Sequence, residues 1–186
     1  PEQIKAAIMN TASDLSTGGN GLGDRFAPVR VGAGRIQAQL AVTSDVLAFV
    51  ADDPGAVSVS FGPVEVSGPM TMTKTVRVHN NGPSPVTFDA SFDEHTSVAG
   101  VSFSVSAATF TVAAGATEDV MVTFEATSRA ALDNSVDPTI GRTSNIGVPR
   151  TTVAEASGQL LLKPTSGDPL RVPVYAAPRP VSALTG

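Results

Sequence analysis

The sequence predicts a mainly β protein, an antiparallel β-sandwich preceded by two short helices, and three observations carry this prediction. Between residues 56 and 181, apolar residues alternate with polar ones in about eight short runs, the period of strands with one buried face. Turn residues, such as Asn80-Asn81-Gly82-Pro83, separate these runs. Charged residues make up only 16% of the chain, so Ser, Thr, Gly and Pro must cover much of the surface.

The predicted core consists of the residues on the apolar side of these runs. They are Val59, Val76, Val78, Phe88, Phe103, Phe110, Val120, Val122, Phe124 and Val172. Outward positions such as Thr87 and Thr123 are expected to tolerate replacement. Pro173 interrupts the last run and cannot donate a ladder hydrogen bond, which predicts that this strand lies at a sheet edge.

The first 45 residues have a helical pattern instead. Ile4 and Ile8 share one face of a predicted helix over residues 1–15, and a second short helix is predicted over residues 36–42. Two helices of this size cannot bury a core alone. We therefore expect them to be poorly ordered or engaged in self-association, because exposed apolar stripes favour association.

The chain is accordingly divided into a helical part over residues 1–45, a connector over residues 46–55 and a β domain over residues 56–181. Asp53-Pro54-Gly55 supplies a turn before the first predicted strand of the β domain. Within that domain, residues 126–156 are polar, contain two prolines and break the alternation. This composition predicts a long inserted loop.

Composition excludes several classes of function. The net charge is −5 and no cluster of Lys and Arg is present, so binding to nucleic acid or to an anionic membrane surface is not expected. The chain has no Cys, which excludes disulfides and thiolate catalysis. No apolar run approaches the roughly 20 residues of a membrane span, so no membrane insertion is expected.

Residues 1–12 have the sequence P-E-Q-I-K-A-A-I-M-N-T-A, and residues 31–42 have the sequence V-G-A-G-R-I-Q-A-Q-L-A-V. The first segment resembles the helix that follows the nucleophile helix in subtilisin-like serine proteases (subtilases). The second resembles the Gly-x-Gly segment that closes their catalytic domain, although Gln37 stands where the family often has Asp or Asn. A fibronectin type III-like domain commonly follows in extracellular subtilases. The segment 57–174 resembles such a domain, notably in T-V-R-V-H-N-N-G at residues 75–82.

This resemblance implies a fibronectin type III/immunoglobulin-like antiparallel β-sandwich behind the end of a subtilase catalytic domain. The implied function is that of a non-catalytic C-terminal accessory segment of a secreted subtilisin-like serine endopeptidase, supporting the protease domain or positioning substrate. The implied partners are the remainder of the catalytic domain and a protein substrate, in the extracellular space or at the cell surface. The family's Asp, His and Ser belong to motifs upstream of Pro1, so no catalytic residue is carried over. The alternative is a stand-alone extracellular binding or spacer module of adhesin type.

No catalytic, cofactor-binding or metal-ligating residue is expected within the chain. His79 is predicted to face solvent, because it shares a strand face with Thr75 and Arg77, and His95 is predicted to lie at the surface in a loop-like segment over residues 93–96. A metal or catalytic role is expected for neither, because no second His lies at ligand spacing. The segment 133–137 offers oxygen ligands but lacks the Gly and Glu of an EF-hand, which favours a solvated loop. Glu118-Asp119 is interpreted as an exposed charged pair. The Gly-rich segment 18–23 lacks the P-loop Lys, so no phosphate site is expected there.

Overall fold

Three helices and nine strands follow one another in the part of the chain that the computed structural model describes, which is residues 1–19, 22–133, 137–143, 145–149 and 154–182. The helices are α1 (Glu2–Asn10), α2 (Pro28–Val31) and α3 (Ala38–Thr43). The strands are β1 (Val46–Val50), β2 (Val59–Val66), β3 (Met70–Asn80), β4 (Val86–Thr96), β5 (Val101–Val105), β6 (Thr109–Val112), β7 (Thr117–Ala126), β8 (Ala156–Pro164) and β9 (Leu170–Pro180).

The strands form two sheets, one of four strands in the order β1-β3-β7-β5 and one of five in the order β2-β9-β8-β4-β6. Both sheets contribute side chains to one shared core, so the architecture is an immunoglobulin-like β-sandwich and the predicted fold class is confirmed. One pairing departs from the prediction. Strand β2 runs parallel to β9, with Val59 opposite Val174, whereas the other pairings are antiparallel.

The predicted core residues line the space between the sheets. Eight are buried: Val59, Val76, Val78, Phe88, Val120, Val122, Phe124 and Val172. Phe103 and Phe110 are half buried and pack against the same core. The ring of Phe103 lies 5.7 Å from that of Phe124 and 4.8 Å from that of Phe92, so it contributes aromatic contacts from the sheet edge.

The predicted connector over residues 46–55 contains a strand of the sandwich. Strand β1 pairs antiparallel with β3, with Val46 opposite Asn80 and Val50 opposite Val76. The alternation test missed it because V-L-A-F-V is continuously apolar, and both faces of the strand are covered. Ala48 points into the core between the sheets, while Leu47 packs against α1.

Strand β9 is an interior strand, so the prediction that Pro173 marks a sheet edge is wrong. Its neighbour β8 pairs with it over the whole stretch from Leu170 to Ala176, while β2 pairs only from Val174 onward. Pro173 therefore lies just outside the β2 pairing, where no ladder hydrogen bond to β2 is lost. The predicted turn after β3 is present. The Asn80 side chain donates to the Ser84 carbonyl at 2.8 Å and accepts from the Gly82 N–H at 2.8 Å.

The helical part, which was predicted to be poorly ordered or self-associated, is packed against the sandwich. Helix α1 ends at Asn10 and not at residue 15, and it lies against β1 and β9. Ala6 is buried on Leu47 and Val57. The predicted loop over residues 126–156 lies between the end of β7 and the start of β8, and its described residues contain one short 3-10 turn at Arg129–Ala131.

Candidate functional site

A cover segment, defined here as residues 22–35, lies across the outer face of the five-stranded sheet. The C-terminal end of the cover segment is fixed to the loop after α1. Ser13 of that loop and Arg35 of the segment exchange two main-chain hydrogen bonds, of 2.9 and 2.8 Å. The Phe26 N–H donates to the Leu15 carbonyl at 2.9 Å, and α2 contacts β8 and β9. Ser13 directly follows segment 1–12 and Arg35 lies in segment 31–42, so the two parts of the chain meet at this pair.

Gly34 explains why this pairing needs a glycine. Its φ is +107°, and a Cβ on Gly34 would lie 2.2 Å from the Ser13 carbonyl oxygen. No side chain fits that approach, and the backbone conformation itself disfavours L residues. Gln37 also stabilises this junction, since its side-chain amide donates to the Ser13 Oγ at 2.9 Å.

Arg25 fastens the cover segment to β4. Its guanidinium donates hydrogen bonds to both carboxylate oxygens of Asp93, and the bond to Oδ1 measures 2.6 Å. It also donates to the Glu94 carbonyl at 3.1 Å. Such a bidentate pair is the strong form of a charge-assisted hydrogen bond. Burial raises the pKa of Asp93, but the hydrogen bonds and charge of Arg25 outweigh it, so the pKa lies below its ordinary value.

His95 lies half buried beneath the same segment, so the prediction that it is a surface residue exposed to solvent is wrong. It occupies β4, which extends through the sequence expected to form a loop, and its Nδ1 lies 3.1 Å from the Phe26 carbonyl oxygen. Its Nε2 is buried without a hydrogen-bond partner in the described part of the chain. Burial lowers the pKa of His95, the Phe26 bond raises it and the charge of Arg25 lowers it again, leaving it below the ordinary value.

Asp14 completes this polar interface from the loop after α1. Its Oδ1 accepts from the Gln159 side chain on β8 at 2.7 Å, and its Oδ2 lies 3.7 Å from Arg25 and 3.9 Å from Arg171 on β9. Three strands therefore contribute side chains to one network under the N-terminal part. Sequence reasoning missed the network because its members are spread over more than 150 positions and none belongs to a recognisable motif.

Three members of this network offer ligand atoms at metal-binding separation. Atoms of Asp14, Asp93 and His95 lie within 4.8 Å of one another. The Arg25 guanidinium, however, already occupies both oxygens of Asp93 and approaches Asp14. A cation would have to displace it, so the geometry favours an internal ion-pair network over a metal site.

A second feature is an apolar groove between α1 and α3, with a volume of about 360 Å³. Three of its residues are highly exposed, since Ile4 shows 67%, Ile36 63% and Val42 86% of its surface. No charged side chain lines it. Its residues are Ile4, Ala7, Ile8, Ile36, Ala38, Ala41 and Val42.

The other residues considered from the sequence are dispersed. His79 lies on the outward face of β3, with its Nδ1 2.9 Å from the Thr117 Oγ1. Asp119 forms a bidentate, exposed pair with Arg77 across β3 and β7, at 2.9 and 3.0 Å. The oxygen-rich segment 133–137 falls largely on residues 134–136, which lie outside the described part. Of the Gly-rich segment 18–23, residues 20 and 21 also lie outside it.

The polar loop before β8 is tied to the cover segment through α2. Arg30 donates to the Thr139 hydroxyl, and its guanidinium lies 3.6 Å from the buried carboxylate of Asp137. Glu155 lies at the end of the same loop, next to β8. Burial raises the pKa of its carboxyl group, and the negative charge of Asp137 raises that pKa further. The contacts that hold the cover segment thus extend to the described residues of this loop.

No protein-family model matches the chain, and no curated protein matches its sequence significantly. Among solved structures, PapD-like domain 7 of human CEP192 is 14% identical, with a TM-score of 0.43 over 74% of this chain and 87% of that one. The secreted serine protease VesC from Vibrio cholerae is 12% identical, with a TM-score of 0.39 over 64% of this chain and 21% of VesC. The Salmonella enterica SafA pilin in complex with the SafB chaperone is 17% identical, with a TM-score of 0.38 over 76% and 56%.

With TM-scores below 0.5, these likenesses assign neither a family nor an activity to the chain. In addition, none of the helices in the described ranges has the length and apolar character needed to cross a membrane.

Proposed function

We propose that the chain is a non-catalytic accessory module of a secreted subtilisin-like serine endopeptidase, and that the α1/α3 groove is the surface through which it joins the catalytic domain. The module would support that domain or position its protein substrate, outside the cell or at its surface. The proposal rests on the sequence resemblance of residues 1–12 and 31–42 and on one structural observation, the two apolar faces of α1.

Helix α1 carries apolar side chains on opposite sides. Ala6 packs on the sandwich with Leu47, and Asn10, one turn further along the same face, is fully buried. Ile4 and Ile8 lie two positions away from these residues, which places them nearly across the helix. A helix that is apolar on two faces is normally enclosed from both sides. The outer face of α1 therefore favours a further protein layer.

The aliphatic lining of the groove indicates which class of partner it can bind. Its lining is aliphatic and uncharged, which fits the apolar interior surface of a neighbouring domain and not a nucleic acid or a charged headgroup. Exposure of 63% at Ile36 and 86% at Val42 is unusual for aliphatic residues that share one patch.

Catalysis by the chain itself has no support among the described residues. The hydrogen bonds described for its two histidines go to Thr117 and to the Phe26 carbonyl, and neither pairs with a serine hydroxyl in the way a Ser-His-Asp triad requires. Purified chain is therefore expected to leave casein intact. Turnover that a serine-protease inhibitor abolishes would contradict the proposal.

The direct test is the coding sequence upstream of Pro1 and the behaviour of the full-length protein. The proposal requires a Gly-Thr-Ser segment leading into a helix before Pro1; without it, the stand-alone module is the better account. In the full-length protein, the double change Ile4→Ser with Val42→Ser should shorten the half-life of casein hydrolysis at elevated temperature. The matched double change Thr73→Ala with Thr123→Ala, on the outward face of the four-stranded sheet, should not.

A further inference from the structure

We infer that the cover segment, residues 22–35, is an acid-sensitive latch, which protonation of His95 releases from the five-stranded sheet while the sandwich stays folded. The inference concerns contacts within the chain and does not depend on the proposed function. It rests on where His95 lies, on which charges surround it and on which hydrogen-bond acceptors near it are already engaged.

The position of His95 determines which tautomer the neutral imidazole adopts. A main-chain carbonyl can only accept, so the contact with the Phe26 carbonyl at 3.1 Å places the imidazole proton on Nδ1. The Nε2 atom then carries a lone pair, and it is buried without a partner in the described part of the chain. Protonation adds an N–H donor and a positive charge at this enclosed atom, where an unsatisfied donor is costly.

The charges of this network balance only while the imidazole is neutral. Asp14 and Arg25 face it from the N-terminal part and Asp93 faces it from β4. Arg171 of β9 joins the network through Asp14, at 3.9 Å, so the network holds two carboxylates and two guanidinium groups. A protonated His95 adds a third cation to this half-buried set. The added charge repels Arg25, the residue that fastens the cover segment to β4.

The nearby acceptors are already engaged. Both oxygens of Asp93 are held by Arg25, and the Oδ1 of Asp14 is held by Gln159 of β8. The Oδ2 of Asp14 is shared between the ion pairs with Arg25 and Arg171, at 3.7 and 3.9 Å. A new N–H at Nε2 must therefore compete with Arg25 or Gln159, or draw Asp14 Oδ2 away from these two ion pairs. The remaining charged side chains near it, Asp24 and Glu94, are exposed to solvent.

The direction of the His95 pKa agrees with this picture. Because the pKa is lower in the docked state, the released state binds the proton more readily. The docking free energy is therefore complete above the ordinary histidine pKa of about 6.5 and declines as the pH falls below it toward the lowered value. The pKa of Asp93 is also lowered, but its loss begins only near the ordinary carboxylate range of about 4, so the two effects are separable by pH.

Amide hydrogen exchange with mass spectrometry tests the latch. After correction for intrinsic exchange rates, the protection of residues 22–35 should fall between pH 7.5 and pH 5, approaching about tenfold per pH unit below 6.5. Strands β8 and β9 should keep their protection. In His95→Asn, whose amide can take the place of Nδ1, this pH dependence should disappear, while His79→Asn should behave as the wild type.

Constant protection of residues 22–35 in the wild type, or an equal pH response in His95→Asn, would overturn the inference. Should His95→Asn leave the segment unprotected at every pH, the wild-type imidazole titration followed by NMR decides. The chain has only two histidines, so His79→Asn assigns both signals. A His95 signal that titrates at or above the ordinary histidine value overturns the latch, and one that titrates below it together with the loss of protection establishes it.

Discussion

Asn10 and Ala48 are joined by a buried hydrogen bond of 2.8 Å, from the Ala48 N–H to the Asn10 Oδ1. The same side chain donates to the Arg171 carbonyl at 3.1 Å. Ala48 belongs to β1 of the four-stranded sheet and Arg171 to β9 of the five-stranded sheet. A single fully buried amide at the end of α1 therefore ties the helical part to both layers of the sandwich.

Replacing Asn10 should accordingly destabilise the whole domain. Asn10→Leu keeps the approximate volume but leaves the Ala48 N–H and the Arg171 carbonyl without this partner, at an expected cost of about 1–3 kcal/mol. Urea unfolding followed by far-UV circular dichroism measures the free energy of unfolding. Gln3→Leu, at an exposed position of the same helix, is the control. Equal midpoints for the two variants would mean that Asn10 does not hold the layers together.

The Arg25–Asp93 pair should matter more than the exposed pair between Arg77 and Asp119, although both are bidentate. Arg25→Ala is expected to lose about 1 kcal/mol, a value discounted for the partial exposure of both partners. The loss should appear as faster hydrogen exchange in residues 22–35. Arg77→Ala should leave exchange and unfolding unchanged, because water screens that pair fully. An Arg25→Ala variant with unaltered exchange would contradict the role given to this residue.

Gly34→Ala should disrupt the main-chain junction between Ser13 and Arg35. The added methyl would lie 2.2 Å from the Ser13 carbonyl, at a φ of +107° that alanine rarely adopts. Strain of this kind costs about 1–3 kcal/mol, and the close contact adds to it. Gly68→Ala meets no atom within 4 Å and should change the free energy of unfolding by less than about 0.5 kcal/mol. Thermal unfolding of both variants gives the comparison, and equal melting temperatures would refute the steric argument.

The features that were predictable from the sequence are those with local signals. Alternation placed Val76, Val78, Val120 and Val122 in the core because a strand's period of two is visible over five or six residues. The turn at Asn80 was visible because its side chain organises the turn from within four residues.

The features that were missed depend on distant partners. Strand β1 carries no alternation because α1 covers its second face, which no window around Leu47 can reveal. His95 was expected at the surface because its neighbours in sequence are polar. The polar neighbour Asp93 is in fact held by Arg25, 68 positions away, and the burial of His95 follows from that contact. The position of the cover segment depends on side chains of β4, β8 and β9, which come together only in the folded sheet.

Two adjacent residues of β4, Phe88 and Thr87, test which face of this strand points into the core. Phe88 is 1% exposed, with its ring 5.6 Å from that of Phe110, while the neighbouring Thr87 points outward and lies 2.7 Å from the Thr111 hydroxyl. Phe88→Ala removes a large side chain from a closed core, and the cavity left behind should cost about 3–5 kcal/mol. Thr87→Ala gives up one exposed hydroxyl contact between β4 and the edge strand β6 and should cost about 0.5 kcal/mol or less. Urea unfolding curves of the two variants should have similar slopes and well-separated midpoints. Coinciding midpoints would mean that β4 is shifted by one residue, because such a shift exchanges the buried and exposed faces of the strand.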